Sequence, residues 1–177
     1  MLFGGYDRTR TAFNTYKKAR QEAGLPASGE DRFSYMAFCY VGDTDEQAMR
    51  IGQKIPWFLT VSMKSAPQMS KFLPGQIAPE LTPAAWRAGV SKRPTDLSVE
   101  ALIRQGQMFC GNPDTVVRQI KEFRQRVGGV GRIIMMTRQG LVTHAEAMKS
   151  FSLVAKEVLP RLQDLGPVDL DMTAAAQ

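Results

Sequence analysis

The side chains that could do chemistry are few, and they lie far apart in the sequence. Histidine exchanges protons most readily near neutral pH, but His144, the only one in the chain, falls in the first turn of a predicted helix and reads as exposed and structural. Cys39 and Cys110 each lack a CxxC partner or a neighbouring histidine, which predicts two reduced, buried thiols. The sequence shows no nucleophile beside a base, no glycine-rich phosphate loop and no cluster of metal ligands. It therefore predicts no independent catalytic machinery and no metal.

The basic surplus of the chain, a net charge of +6 over 177 residues, raises the question of nucleic acid as a partner. The lysines and arginines are interspersed with acids at helical spacing, and only Lys17-Lys18 and Lys92-Arg93 are adjacent. No aromatic residues are interleaved with them to form a base-stacking surface. The pattern indicates solvated helix faces, and we expect no nucleic-acid partner.

No stretch of the sequence resembles a membrane or export signal. No window approaches the run of about eighteen apolar residues that predicts a membrane span. The first five residues, MLFGG, are too short and uncharged for a signal peptide. We therefore expect a cytoplasmic protein with no membrane partner.

The first part of the chain predicts a helix, a strand and a second helix. Apolar residues at helical spacing occur at Ala12, Phe13, Tyr16, Ala19 and Ala23. The nearly unbroken apolar run from Phe33 to Val41 is typical of a strand that is covered on both faces. Thr44 and Gln47 then form a potential capping box at the start of the next helix.

The last part of the chain repeats this alternation. Asn112 and Pro113 suit the cap and first position of a helix, Val130 to Met136 is a short apolar strand between glycines and Thr137, and Thr143 with Glu146 forms another capping box. The two helices have predicted buried stripes at Val116, Ile120, Phe123 and Val127, and at Met148, Phe151, Ala155, Val158 and Leu162. Residues 165–177 read as a disordered tail.

A proline-rich stretch separates these two parts. This stretch, from about residue 56 to about residue 108, contains Pro56, Pro67, Pro74, Pro79, Pro83 and Pro94. An irregular stretch of this length is typical of an active-site lid or binding loop, and the alternative is an inserted pair of short helices. Both readings stay open.

The alternation of helices and strands predicts an α/β protein with a parallel sheet over residues 1–164. We expect Phe33 to Val41 and Val130 to Met136 to be neighbouring parallel strands. Two complete strands are too few for an eightfold barrel, which requires about 250 residues. The sequence therefore predicts a fragment of a larger domain.

Four stretches, which together cover nearly the whole chain up to the tail, resemble the bacterial-luciferase-like flavin-dependent monooxygenases in order and spacing. They are LFGGYDRTRTAFNTYKKARQEAGLP, YVGDTDEQA, KSAPQMSKFLPG, and FCGNPDTVVRQIKEFRQRVGGVGRIIMM continued by THAEAMKSFSLVAKEVLPRL. The resemblance implies the C-terminal portion of a (β/α)₈ TIM barrel, with the end of the sixth strand, the seventh and eighth strands, and a helical or irregular insertion.

The family's activity is the second implication of this resemblance. Its members use reduced flavin, FMN supplied by a reductase, and molecular oxygen to oxidise a small organic substrate, and some relatives use a deazaflavin for hydride transfer instead. The resemblance places cofactor-binding residues at Gly4, Thr137 and Arg138, and substrate-cavity residues at Tyr40, Lys64, Pro74, Gly75 and Met136. No catalytic residue is assigned.

The chain departs from the family pattern at the phosphate grip, which lies on loops after earlier strands. Asp43 and Asp45, after the predicted seventh strand, would repel a phosphate. We therefore expect the isolated chain to be inactive and to bind FMN poorly. The alternative to an enzyme fragment is a non-catalytic half-barrel that pairs with another copy or with a complementary N-terminal half. In either case we expect the isolated chain to be poorly soluble, molten or oligomeric.

Overall fold

The computed structural model describes residues 4–57, 98–163 and 165–166, where helices and strands alternate. The helices are α1 (Gly5–Glu22), α2 (Asp45–Gly52), α3 (Val99–Arg104), α4 (Pro113–Arg126) and α5 (His144–Leu153). The strands are β1 (Ser34–Val41), β2 (Met108–Gly111) and β3 (Arg132–Met136). A 3-10 turn, Glu30–Arg32, precedes β1, and α5 continues through a π-helical segment, Val154–Val158, into a 3-10 segment, Leu159–Leu162. Among the helices in these ranges, none has the length and apolar character needed to span a bilayer.

The predicted helix caps are present. Thr44, Asn112 and Thr143 each accept a hydrogen bond from the backbone N–H three residues later, at 3.2, 2.9 and 3.3 Å. Gln47 also reaches back, but it accepts from the N–H of Asp43, at 2.9 Å, one residue before the cap. Local sequence therefore determines where these helices begin.

The three strands form one parallel sheet in the order β2-β1-β3. The C-terminal half of β1 pairs with β2, from Phe38 opposite Met108 to Val41 opposite Gly111. Its N-terminal half pairs with β3, from Ser34 opposite Arg132 to Phe38 opposite Met136. The central strand is thus paired along its whole length, partly on each edge.

The predicted parallel pairing of the two long apolar runs is confirmed, because β1 and β3 are neighbours. The expectation of only two strands is wrong. Residues Met108–Gly111, which lie where the predicted insertion ends and were not predicted to be a strand, form β2, and four residues are too few to show a periodicity. Residues 58–97, most of that insertion, lie outside the described part of the chain. In the sheet, β1 lies between two strands that both follow it in the sequence. The assignment of these strands to successive positions in a barrel therefore stays a prediction.

Helices cover both faces of this sheet. On one face, alternate β1 residues from Tyr35 to Val41 pack with α1, α4 and the π-helical segment. This first core comprises Phe13, Phe33, Tyr35, Ala37, Cys39, Val41, Phe109, Val116, Val117, Ile120, Phe123, Val127, Val130, Val154 and Val158. On the other face, Phe38 and Tyr40 pack with α2, α3 and the start of α5. This second core comprises Phe38, Tyr40, Ala48, Ile51, Ile55, Val99, Leu102, Met108, Cys110, Val142 and Ala147.

Burial on both faces explains why β1 is a continuous apolar run instead of an alternating one. The same burial encloses the side chains of the two cysteines, which are free thiols and buried, as predicted. Burial raises the pKa of the Cys39 thiol to about 12, and it raises the pKa of Cys110 as well. Both side chains therefore remain neutral thiols near neutral pH.

The predicted apolar stripes of two helices are correct at Phe13 and Val158 and wrong at most of their other positions. On α1 the buried residues are Gly5, Thr9 and Phe13, whereas Ala12, Ala19 and Ala23 are exposed and Tyr16 is 43% exposed. In the last helix Ala147, Ser150, Val154 and Val158 are buried, whereas Met148 and Phe151 are 53% and 42% exposed. Small and polar residues occupy the buried side, so hydrophobicity alone misplaced most of the buried face of both helices.

Ser150 connects α5 to the central strand. Its Oγ accepts a hydrogen bond from the N–H of Val41 at 2.8 Å, and both residues are fully buried. We expect Ser150→Ala to lower the free energy of unfolding by about 1–3 kcal/mol, because it leaves a buried N–H without a partner. Urea titration measures this change, and Ser152→Ala, at an exposed position of the same helix, is the matched control. Equal denaturation midpoints for the two variants would contradict this role.

Candidate functional site

The carboxyl ends of the strands meet at one edge of the sheet. Val41 and Gly111, the last residues of β1 and β2, lie opposite each other. Met136, the last residue of β3, lies opposite Phe38, so β3 ends three residues before β1 does. The chain that follows β3 therefore passes beside the last residues of β1. In open parallel sheets this edge is the usual place for a ligand.

The loop from Thr137 to Thr143 is anchored on the turn after α2. Gly140 has φ +60°, and a Cβ at this position would lie 2.1 Å from the carbonyl oxygen of Lys54, so only glycine fits here. The N–H of Leu141 donates to the same oxygen at 3.2 Å. The loop that follows β3 is therefore in direct contact with the turn that follows α2.

Two ion pairs connect α5 to the turn after α2 and to the loop after β1, and we call their four residues the strand-end network. Lys54 and Glu146 lie 2.5 Å apart with side chains 35% and 24% exposed, and Lys149 pairs with Asp43. Glu146 also completes the predicted capping box, since its carboxylate accepts from the N–H and the hydroxyl of Thr143, both at 2.9 Å. The Lys54 hydrogen bond, followed by the backbone N–H of Thr143, lowers the pKa of Glu146.

Tyr40, a predicted cavity residue, lies beneath this network. It is only 1% exposed, and its hydroxyl donates to the carbonyl oxygen of Glu146 at 3.3 Å. Burial, with the charge of Glu146 as a smaller cause, raises the pKa of Tyr40 to about 12. In the described residues this side chain is a neutral part of the second core.

Thr137 and Arg138, two predicted cofactor residues, are adjacent at the end of β3. Thr137 is 1% exposed, and its hydroxyl has no hydrogen-bond partner among the residues that the structure describes. Arg138 is exposed, and no described residue forms an ion pair with it. Met136 is half-buried and packs against the second core. A buried hydroxyl without a partner beside an unpaired guanidinium is a pair of donors suited to an anionic or carbonyl group.

The structure does not bring the remaining predicted residues to this position. Gly4 precedes α1, whose first residues contact the turn that enters β2: the N–H of Tyr6 donates to the carbonyl oxygen of Gln105 at 3.0 Å. Gly4 is thus on the opposite side of β1 from Thr137, and beside the beginning of a strand instead of its end. The predicted cavity residues Lys64, Pro74 and Gly75 lie outside the described residues.

Lys54 and Gln119 contribute contacts that no sequence pattern predicts. Lys54 pairs with Glu146, which is 92 positions away. Gln119 bonds the backbone of Cys110 nine positions back, a spacing that no helical or capping pattern would reveal. Across residues 4–57 and 98–163 no three histidine, cysteine or acidic side chains are grouped so that they could hold a metal ion.

Comparison with known proteins supplies relatives, although no family model matches the chain. It is 27% identical over 164 residues to 2,5-diketocamphane 1,2-monooxygenase 2 of Pseudomonas putida, covering 92% of this chain and 42% of that protein. It is 26% identical over the same length to 2,5-diketocamphane 1,2-monooxygenase 1 of that organism. A shorter match, 32% identical over 73 residues, is to limonene 1,2-monooxygenase of Rhodococcus erythropolis, and it covers 41% of this chain and 19% of that protein. The chain thus spans about 42% of the length of the first two curated relatives.

Two solved structures share the fold of the chain. One is the oxygenating constituent of 3,6-diketocamphane monooxygenase from Pseudomonas putida, a type II Baeyer-Villiger monooxygenase in complex with FMN. It has a TM-score of 0.62 and 22% identity, covering 95% of this chain and 43% of that one. The other is the monooxygenase RslO1 from Streptomyces bottropensis, with a TM-score of 0.59 and 15% identity, covering 92% of this chain and 41% of that one. The described α/β fold is therefore similar to part of these flavoprotein and monooxygenase structures.

The strand-end network predicts an acid-sensitive contribution to stability. The folded-state pKa of Glu146 is lowered, so its stabilising effect is present above the unfolded-state value of about 4.3 and is lost as the pH falls through the folded value. We expect Glu146→Gln to lower the melting temperature at neutral pH, and this deficit to disappear in acid.

Thermal melts of both proteins over a series of pH values measure this difference. Glu122→Gln is the control, because the Glu122–Arg126 pair is half exposed and lies within one helix, where ion pairs contribute little. A deficit for Glu146→Gln that is independent of pH would show that the carboxylate charge does not stabilise the strand ends.

Proposed function

We propose that the chain forms part of a reduced-flavin-dependent monooxygenase that oxidises a small organic substrate. The observation that carries this proposal is the match to the 2,5-diketocamphane 1,2-monooxygenases over 92% of the chain. A match over this length includes every described strand. The three curated relatives are named monooxygenases, which favours oxygen-dependent chemistry over the deazaflavin alternative.

FMN is the proposed cofactor, and the residues after β3 fit such a group. The hydroxyl of Thr137 is buried without a partner among the described residues, and Arg138 next to it is exposed and unpaired there. These two side chains would donate hydrogen bonds to a carbonyl or anionic edge of the flavin. Reduced flavin supplies the electrons with which oxygen is activated, while the chain's own residues bind and orient it.

The strand-end network would keep this region rigid. Lys54 and Glu146 hold the loop that contains Thr137 against the turn after α2. A preorganised donor binds its acceptor without the entropic cost of ordering a loop. In this proposal, Lys54, Glu146 and Gly140 are positioning residues, and none of them contacts the substrate.

The length of the chain bears on what it can do by itself. It spans about 42% of the curated relatives, so the proposed activity needs the remaining part of the fold. That part would come from a complementary N-terminal half or from another copy. With the phosphate grip expected elsewhere, these residues alone would form one wall of a flavin pocket, which does not exclude water.

A chimera tests this proposal directly. The 164 residues of 2,5-diketocamphane 1,2-monooxygenase 2 that match this chain are replaced by the corresponding residues of this chain, and FMN is titrated by fluorescence. We expect the folded chimera to bind FMN and to show oxygenation of a cyclic ketone that depends on a flavin reductase, whereas the chain alone shows no micromolar binding. A folded chimera that leaves FMN unbound would contradict the proposal.

Thr137→Val within the chimera tests the site itself. Loss of one hydrogen bond, about 0.5–1.5 kcal/mol, weakens FMN binding by about two- to tenfold. Thr9→Val is the matched control, because Thr9 is also fully buried, and its hydroxyl likewise has no partner in the part of the chain that the structure describes, but it lies on α1. Equal effects of the two substitutions would mean that Thr137 does not contact the flavin.

A further inference from the structure

The charged side chains at the carboxyl ends of the strands are mostly paired. The strand-end network consists of two ion pairs and carries no net charge. The carboxylate of Asp45 accepts hydrogen bonds from the N–H of Asn112 at 2.7 Å and from the hydroxyl of Thr115 at 3.1 Å. Arg138, just after β3, is exposed and has no ion-pair partner among the residues that the structure describes. Its positive charge is therefore available to a ligand.

The helix N-termini at this edge, which could otherwise bind a phosphate, are occupied. Thr44, Asn112 and Thr143 accept hydrogen bonds from N–H groups in the first turns of α2, α4 and α5. Each of these first turns also contains at least one acidic residue. A phosphate dianion is bound most readily by free N–H groups at a helix N-terminus. A less concentrated negative charge therefore fits the position beside Arg138 better.

The wall beside Arg138 is otherwise apolar. Met136 is half-buried and packs against the second core, and Thr137 is 1% exposed with a hydroxyl that has no partner in the described ranges. The position thus combines one neutral donor, one cation and an apolar surface. Sites for flat ring systems have this composition, in which a few polar groups fix the orientation of a mostly apolar ligand.

The ring of a flavin changes its charge when it is reduced. The oxidised ring is neutral, whereas the ring reduced by two electrons readily loses a proton and then shares a negative charge between N1 and the C2 carbonyl oxygen. A charge near N1 is one of the means by which a protein tunes a flavin. A cation beside that part of the ring therefore stabilises the reduced form selectively, whereas a neutral hydroxyl can donate to the same carbonyl oxygen in both forms.

We propose that Arg138 is the residue by which this site distinguishes reduced from oxidised flavin. The inference rests on the proposed function, since it requires a flavin to bind beside Thr137. In this role Arg138 determines specificity: its guanidinium bonds the anionic ring of reduced flavin, while Thr137 contributes to the binding of both forms. The consequence is that reduced flavin is retained at the site and that neutral, oxidised flavin is released.

Flavin titrations of the chimera described above test this inference, with reduced FMN added under anaerobic conditions and oxidised FMN added in air. Loss of a hydrogen bond to a charged group costs more than loss of a neutral one. We expect Arg138→Gln to weaken the binding of reduced FMN at least about tenfold, and that of oxidised FMN less than about twofold. Each tenfold change in the ratio of the two affinities lowers the two-electron midpoint potential of the bound flavin by about 30 mV, which a potentiometric titration measures independently.

Two further variants and a second ligand identify the cause of such a change. Arg138→Lys keeps the positive charge, and we expect it to restore most of the preference for the reduced form. Arg118→Gln removes the same charge from an exposed position on α4, and we expect it to leave both affinities unchanged. Riboflavin has the same ring without the phosphate, so Arg138→Gln should weaken the binding of reduced riboflavin as much as that of reduced FMN.

The failure of this inference and the failure of the proposed function give different results. A folded chimera that binds neither redox form of FMN contradicts both. A chimera that binds FMN contradicts this inference alone if Arg138→Gln weakens both redox forms equally, if Arg138→Lys restores none of the preference, or if Arg118→Gln has an equal effect. Weaker binding of FMN with unchanged binding of riboflavin also contradicts it, because the guanidinium would then contact the phosphate. Parental circular dichroism spectra of all variants show that these differences do not arise from misfolding.

Discussion

The rest of the described structure depends on the burial of β1. From Ala37 to Val41 every residue of this strand is at most 1% exposed, and its backbone pairs with one strand on each edge. A parallel strand of this kind is stable only when helices cover both faces, because each uncovered side chain forfeits about 1.5–3 kcal/mol of burial free energy. The positions of α1, α2, α4 and α5 all follow from this requirement.

This constraint also explains the form of the strand ends. Once β1 is enclosed, the loops that follow it and β3 must satisfy their own polar groups at one crowded edge. Ser150 accepts from Val41, Glu146 accepts from Thr143, and Lys54 bridges to Glu146. The hydroxyl of Thr137 has no such partner among the described residues. A rigid edge that leaves one donor unused is the arrangement expected of a ligand site whose other walls lie elsewhere.

Sequence patterns predicted the local features of this fold well. The caps at Thr44, Asn112 and Thr143 depend on residues three positions apart, and the apolar runs of β1 and β3 are long enough to recognise. The four-residue β2 carries too little pattern. Most buried positions of α1 and α5 were assigned wrongly, although Phe13 was assigned correctly, because Thr9 and Ser150, both fully buried, occupy positions where hydrophobicity predicts solvent.

For the site, the sequence resemblance placed Thr137 and Arg138 together, whereas Gly4 lies beside the beginning of β2. Contacts between distant residues, such as Lys54 with Glu146, depend on how the helices stack, and one sequence does not encode that in a readable pattern. The central claim is that β1 is an enclosed strand on which every other element depends. Native-state hydrogen exchange resolved by residue tests it most directly: the amides of residues 37–41 should exchange only through global unfolding, more slowly than those of any helix. Exchange of these amides as fast as those on the exposed surface of α1 would contradict the account.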